Sequence, residues 1–365
     1  MSKIYMEEDE TSLEDMDLIH EQNAIELPSK KKVKLRMKNL RLHSWGVFSN
    51  VYRGTLLNSE PHKEIVLKKT WPDMEEESNS NVELDMLLSL CRERHKNIIQ
   101  VLYTFRNITP DKKICETMVF DYLPRTVSEI VKQIGGKNPD YVEIKLYSWQ
   151  LFNGLAYLSN NHICHRDIKP QNLLIEPISG ILKIADFGSA KFIKKTTQST
   201  SYQVTRYYRP PELLLKAIFY SPQIDVWSGG CVLGEITKGS ILFPGKNSKH
   251  QLKLVIDALG SPNETELVDM KARIQFTDDR TEPRGFRPFL PHASEEIIDI
   301  IQRILVYSPK KRLCGKMLLS DPFFQELFAP NKRRTNGTFV SNAITLDDLQ
   351  KIPSNYKQVR RSKRS

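Results

Sequence analysis

Near Leu123-Pro124 the hydrophobic pattern of this chain changes period, and that change limits the folds open to it. Before this point, short alternating segments recur at Val33–Arg41, Val51–Leu56, Glu64–Lys69, Val101–Phe105 and Cys115–Phe120, the pattern of antiparallel strands with one buried face. One helical stretch over residues 79–90 interrupts them. It sets Val82, Met86 and Leu90 on one face, with Glu83 and Leu87 on an adjoining one. After it, apolar residues return every three or four positions: Tyr147, Leu151, Leu155 and Leu158, then Ile297, Ile298, Ile301 and Leu305. A sheet followed by helices predicts an α+β chain of two lobes, a small antiparallel sheet lobe at 37–120 and a larger, mainly helical lobe at 121–324. With 365 residues the chain can bury such cores without disulfide or metal staples. Residues 1–36 read as an extension, disordered over 1–30 because that stretch is acidic, polar and poor in aromatics. Residues 325–365 read as a basic, extended C-terminal tail.

Lys and Arg number 54 against 44 Asp and Glu, a net charge of +10 that is unevenly spread. Residues 1–20 carry seven acids and one Lys, whereas residues 30–41 carry seven bases and the last fifteen residues six. Basic runs occur in solvated tails and in nuclear-import signals. No basic stripe interleaved with aromatics accompanies them, so no dedicated nucleic-acid surface is predicted. The five cysteines are scattered, without a CxxC pair or zinc spacing, and read as reduced thiols. No apolar run approaches the roughly 20 residues that span a bilayer. The first ten residues are acidic where a secretory signal is basic and then apolar. Membrane binding is therefore not expected. A cytoplasmic location is, with the nucleus as second candidate.

The chemistry concentrates in one region. His165-Arg166-Asp167-Ile168-Lys169-Pro170-Gln171-Asn172 is followed, fourteen residues after Asn172, by Asp186-Phe187-Gly188. Asn172 and Asp186 offer hard oxygens of the kind Mg²⁺ prefers. Asp167 can orient a hydroxyl and accept its proton, and Lys169 can reach a phosphoryl group as a point charge. In that context His162 and His165 are loop and packing residues rather than metal ligands. Upstream, Val66 and Lys68 share one face of the strand Ile65–Lys69, so Lys68 is the phosphate-binding candidate. Glu83, fifteen residues on, lies on the predicted helix and can pair with it. Residues 44–51 stand where a glycine-rich phosphate loop is expected. Gly46 is the single glycine there, flanked by the small Ser44 and Ser49.

These motifs resemble the H-R-D-x-K-x-x-N and D-F-G pair of the protein kinases. More narrowly, the chain resembles the shaggy-type glycogen synthase kinase-3 family from about residue 37 to 324. Family-like strings are the run from Cys164 to Leu174, Asp186-Phe187-Gly188-Ser189-Ala190-Lys191, Ser201-Tyr202, Arg206-Tyr207-Tyr208-Arg209 and Asp225-Val226-Trp227-Ser228. Several are shared with cyclin-dependent and mitogen-activated kinases, and Ser189-Ala190-Lys191 and Arg206-Tyr207-Tyr208-Arg209 favour the shaggy type. The resemblance implies a bilobal fold with ATP between the lobes and Mg²⁺ on Asn172 and Asp186. It places the nucleotide against Ser44, Gly46, Ser49, Val51, Val66, Lys68, Asp121, Leu123 and Leu174, with Phe120 guarding the rear. Asp167, Lys169, Lys68 and Glu83 become the catalytic set, and Lys169 two residues after Asp167 is similar to serine/threonine kinases. Tyr202 matches an activation-segment tyrosine which, once phosphorylated, would face Arg206 and Arg209. Glu212 should pair with Arg312. Of three basic residues that hold the phosphate of a primed substrate in this family, Arg166 and Lys191 match and the third is Val82, so priming should matter less here. The acidic N-terminus lacks the family's Arg-rich serine segment. Implied partners are proteins bearing Ser or Thr. Scaffold proteins are a further class, but residues 246–290 differ from the family's scaffold-binding segment and no identity carries over. The alternative reading is a kinase-fold pseudokinase or scaffold, prompted by the eroded glycine loop.

Overall fold

The computed structural model describes residues 18–46, 49–71, 81–108, 114–136, 138–193, 204–274 and 280–352. Its contacts divide the chain into two units, 1–94 with 99–122 and 95–98 with 123–365. The first contains β1 (His20–Glu26), β2 (Lys32–Trp45), β3 (Ser49–Leu56), β4 (Lys63–Thr70), α1 (Val82–Leu90), β5 (Val101–Ile108) and β6 (Ile114–Asp121). The strands pair antiparallel in the order β1-β2-β3-β4-β6-β5, and the barrel closes where Ile25 and Glu26 meet Thr104 and Tyr103. Alternation puts Ala24, Leu35, Met37, Leu56, Ile65, Leu67, Phe105 and Val119 inside. Val66 and Lys68 therefore fall on the outer face. Strand β1 corrects the expectation of disorder up to residue 30 and of an unfolded extension up to 36. Its sequence HEQNAIE hides the strand because Ala24 is its one buried residue, and its partners on β2 and β5 supply most of the apolar surface. Residues 1–17 lie outside the described residues. α1 starts at Val82 rather than at 79 because Asn81 caps it, its side chain accepting from Leu84 N at 3.1 Å.

The second unit contains β7 (Arg125–Thr126), α2 (Val127–Ile134), α3 (Tyr141–Asn160), β8 (Ile163–Cys164), β9 (Leu173–Glu176), β10 (Ile181–Ile184) and β11 (Lys191–Phe192). Helices α4 (Pro211–Leu214), α5 (Gln223–Lys238), α6 (Ser248–Leu259), α7 (Glu264–Met270), α8 (Glu295–Ile304), α9 (Gly315–Leu319) and α10 (Leu346–Gln350) follow. α5 is buried from Ile224 to Thr237 and packs against α3 and α8. Close approach needs glycine there: a Cβ on Gly229 would stand 2.9 Å from Phe152 of α3, and one on Gly230 2.7 Å from Leu305 beyond α8. The apolar stripe expected near 294–306 is the buried face of α8.

Residues 95–98 join this unit, not the first, because Asn97 Nδ2 donates to Gln150 Oε1 at 3.0 Å and to Leu182 O at 2.9 Å. The boundary after the sheet falls between Tyr122 and Leu123, two residues beyond the expected one. The expected tail is also corrected. Arg334 is 5% exposed, and its Nε and Nη2 donate to the two carboxylate oxygens of Glu143 on α3 at 2.8 and 3.0 Å. Asp348 on α10 accepts from Lys96 at 2.7 Å. Residues 325–352 are thus part of the folded unit, and 353–365 lie outside the described residues.

Candidate active site

The loop between β8 and β9 is held from below by α5. The carboxylate of Asp225, in the first turn of α5, accepts from the backbone N–H of His165 at 2.6 Å and of Arg166 at 2.9 Å. Burial pushes the Asp225 carboxyl up to about 7, while the two donors pull the other way. Arg166 takes a left-handed backbone, φ 68°, and its Nε donates to Ser189 O at 2.5 Å. His165 is fully buried. Its Nδ1 accepts from Asp167 N at 3.3 Å and its Nε2 donates to Ala185 O at 3.0 Å, the pattern of a neutral imidazole. Burial holds its pKa below the usual histidine value, and Phe187 meets the ring edge-on at 4.8 Å.

This frame leaves the Asp167 carboxylate fixed at both oxygens. Oδ2 takes Lys169 Nζ at 2.6 Å and Asn172 Nδ2 at 3.0 Å, and Oδ1 takes the Thr205 hydroxyl at 2.6 Å. Asn172 Nδ2 also donates to Asp167 O at 2.9 Å, so the amide nitrogen is committed and Oδ1 is the atom left for a cation. Ala185 N donates to Asn172 O at 2.9 Å, which ties the Asp186 turn to the same loop. Asp186 is left-handed, φ 63°, and a Cβ on Gly188 would lie 3.6 Å from its Oδ1. An amide oxygen and a carboxylate on adjoining loops fit a hard divalent ion such as Mg²⁺, whose remaining ligands are usually water and phosphate. Among the described residues no cluster of three or more His, Cys, Asp or Glu competes for a metal.

The first unit presents the other expected residues on one face. Ser44, Val51, Lys68 and Met118 form a cross-strand row over β2, β3, β4 and β6, and Val66 pairs with Phe120 in the next row. Lys68 Nζ meets Glu83 Oε2 at 2.7 Å. Gly46 N donates to Ser49 O at 2.7 Å, closing the β2–β3 turn, whose Val47 and Phe48 lie outside the described residues. A Cβ on Gly46 would make ordinary contacts at 3.6 and 3.7 Å, so the protein's own packing does not require glycine there. Asp121 ends β6, its carboxylate paired with Lys63. Leu123 and Leu174 belong to the second unit, Leu123 buried and Leu174 half-buried in β9.

A family model described as protein kinase domain matches residues 44–324. The chain belongs to the protein kinase family. A curated relative from Pyricularia oryzae, named glycogen synthase kinase 1, is 36% identical over 293 residues, 79% of this chain and 72% of that protein. The kinase is thus of the serine/threonine class and resembles glycogen synthase kinase, and its α+β architecture is the protein kinase fold.

Around the segment that follows the Asp186 turn, the kinase departs from some expectations. Tyr202 lies outside the described residues. Arg209 is not a surface cation: it is buried, with Nε and Nη2 donating to Val204 O at 3.0 and 2.8 Å and Nη1 to Ser248 Oγ at 3.3 Å. Arg206 Nε has no acceptor among the described residues. Lys191 opens β11 and is half-buried. Glu212 pairs with Arg312 as expected, at 2.7 and 2.6 Å, both side chains buried. Val82 is 46% exposed at the first position of α1. Thr205 and Asp225 were not singled out as site residues from sequence. Their partners lie 38 and 60 residues away; Asp225 opens a family-like string, but nothing local assigns it this contact, and no local pattern marks Thr205.

Proposed function

We propose that this kinase transfers the γ-phosphoryl group of ATP to Ser and Thr hydroxyls of proteins with Mg²⁺ as cofactor, and that it depends less than its relatives on pre-phosphorylated substrates. The doubly anchored Asp167 carboxylate carries the reading. A substrate hydroxyl placed against it is oriented for attack. As the new O–P bond forms and the bond from the γ-phosphorus to the bridging oxygen breaks, the hydroxyl proton passes to Asp167. Lys169, held beside Oδ2, supplies positive charge where the phosphoryl group passes. Lys68, held by Glu83, is the residue for the inner phosphates. Bound by Asn172 and Asp186, Mg²⁺ would neutralise charge on the phosphate oxygens. By the family resemblance, Val51 and Val66 of the first unit and Leu123 and Leu174 of the second are each unit's apolar candidates for the adenine. Because every charged member of this set is present, the pseudokinase alternative is not favoured despite the single glycine of the β2–β3 turn.

Purified wild type with Mg·ATP should phosphorylate a generic serine acceptor, and Asp186→Ala should abolish it. Equal activity of the two proteins overturns the reading. On substrate choice, an aliphatic Val82 cannot pair with phosphate. Two peptides, with and without phosphoserine four residues after the target serine, should therefore be used at similar rates. A strong preference for the phosphorylated one in wild type, unchanged in Val82→Arg, refutes this part. Residence in the cytoplasm or nucleus belongs to the same proposal, supported by five unpaired cysteines, four of them buried.

A further inference from the structure

Helix α6 carries a basic face. Lys249 and Lys253 are exposed four residues apart on it, Lys246 is exposed just before its Asn247 cap, and no carboxylate among the described residues pairs with any of the three lysines. Like charges at this spacing repel, and lysines around the first turn oppose the helix dipole. The other first turns of comparable position carry acids instead, Glu264 and Glu266 in α7 and Glu295 and Glu296 in α8. The arrangement weakens the helix locally, which a binding role accounts for.

The helix itself, through Ser248 and the buried Gln251 rather than through the lysines, is tied closely to the segment beside Asp167. Thr205 donates to Asp167 Oδ1 at 2.6 Å. At the other end of the same short segment, Tyr207 O accepts from Gln251 Nε2 at 3.2 Å, and Arg209 Nη1 donates to Ser248 Oγ at 3.3 Å. Five residues of chain span at most about 18 Å. A peptide whose hydroxyl sits at Asp167 therefore reaches the start of α6 within about five residues of its own. From Lys249 to Lys253 the helix rises about 6 Å, which two to three residues of an extended peptide cover.

We propose that the lysine patch at the start of α6, Lys249 and Lys253 on the helix with Lys246 just before it, docks an acidic segment of the protein substrate, two or three carboxylates lying about five residues from the phosphoacceptor. The proposal rests on the reading of Asp167 as the phosphoacceptor site. It makes α6 a specificity element, acting on peptide affinity rather than on the chemical step.

The test uses the full chain and a Lys249→Glu/Lys253→Glu variant, with Lys249→Gln/Lys253→Gln as a milder second. Acids near the helix start suit the dipole, so the reversed protein should fold, and its thermal unfolding is checked. Two serine peptides differ only in three Glu or three Gln placed five residues from the serine. The acidic peptide should show about a tenfold higher KM with the reversed variant and the same kcat, the scale expected of two or three exposed ion pairs. The Gln peptide should be unaffected. Fluorescence anisotropy of the acidic peptide with Ala in place of Ser, without nucleotide, gives a binding readout that does not need catalysis. Loss of that binding in the variant, with no phosphorylation by wild type, would uphold the docking face and sink the kinase mechanism instead. Equal anisotropy for wild type and both variants overturns the proposal. So does a single-stranded RNA that binds the face more tightly than the acidic peptide, since the occupant is then nucleic acid. A rise in turnover of the Gln peptide in the variant also overturns it, because a segment of the chain itself would then cover the face.

Discussion

Replacing Arg334 with Met should destabilise this kinase far more than its place in a basic, polar stretch suggests. The side chain is 5% exposed. Beyond the two bonds to Glu143 it donates to Tyr147 Oη at 2.9 Å, to Pro177 O at 2.8 Å and to Ile178 O at 3.0 Å. Gly180, at φ +78°, lets the guanidinium lie flat on the β9–β10 turn, where a Cβ would come within 2.8 Å of it. Methionine fills most of the volume but leaves Glu143 buried and unpaired, a loss of about 3–5 kcal/mol. At about 2–4 °C per kcal/mol for a unit of this size, the melting temperature should fall by about 10 °C. The double variant Arg334→Met/Glu143→Met removes both charges and should recover most of the loss, because an apolar pair often matches a buried ion pair. Urea denaturation of the three proteins, followed by tryptophan fluorescence, measures both steps. A single-variant cost under about 1 kcal/mol, or a double variant no better than the single, would refute the claim that residues 325–352 are part of the folded core.

Three further outcomes follow from the same geometry. Thr205→Ala frees Asp167 Oδ1 and should lower kcat by about 10- to 100-fold with little change in peptide KM, while Thr205→Ser restores it; steady-state kinetics on one serine peptide decide this. Gly230→Ala drives a Cβ to within 2.7 Å of Leu305 and 2.8 Å of Ile304, so the urea midpoint should drop by the equivalent of about 1–3 kcal/mol. His95 is packed on Tyr157 at 4.6 Å, and burial first, then Lys183, lower its pKa from 6.5 to about 4. A depressed folded pKa means the unfolded chain binds the extra proton first. Stability from this site is therefore present above about 6.5 and lost as the pH falls toward 4, by at most about 3 kcal/mol. His95→Phe should flatten that part of the stability profile, and an unchanged slope between pH 6.5 and 4 would contradict it.

What could be read in the residues, and what could not, divides by the range of the interaction. The strands β2 to β5 and the helix α8 announce themselves because one buried face imposes a period on neighbouring residues, whereas β6 and α3, buried on both sides, show in the sequence as apolar-rich stretches. Lys68 could be chosen over Lys69 by the same alternation, and the 2.7 Å contact with Glu83 follows from it. Asp167, Lys169, Asn172 and Asp186 were legible for a different reason: phosphoryl transfer needs several polar and charged groups, and here they stand on two loops close in sequence, so its chemistry leaves two compact strings. Nothing of that kind marks β1, whose single buried residue, Ala24, gains its place from strands elsewhere. Arg334 is the sharper case. Its neighbours Lys332 and Arg333 are half-buried and exposed, and the residue that makes Arg334 different is Glu143, 191 positions earlier. Thr205 and Asp225 were hidden in the same way, each a polar side chain whose partner is supplied by the fold. A run of charges therefore reads as a tail until the carboxylate that buries one of them is known. The lysines of α6 pose the same question in reverse, since their chemistry is visible and their partner is what the peptide experiments must supply.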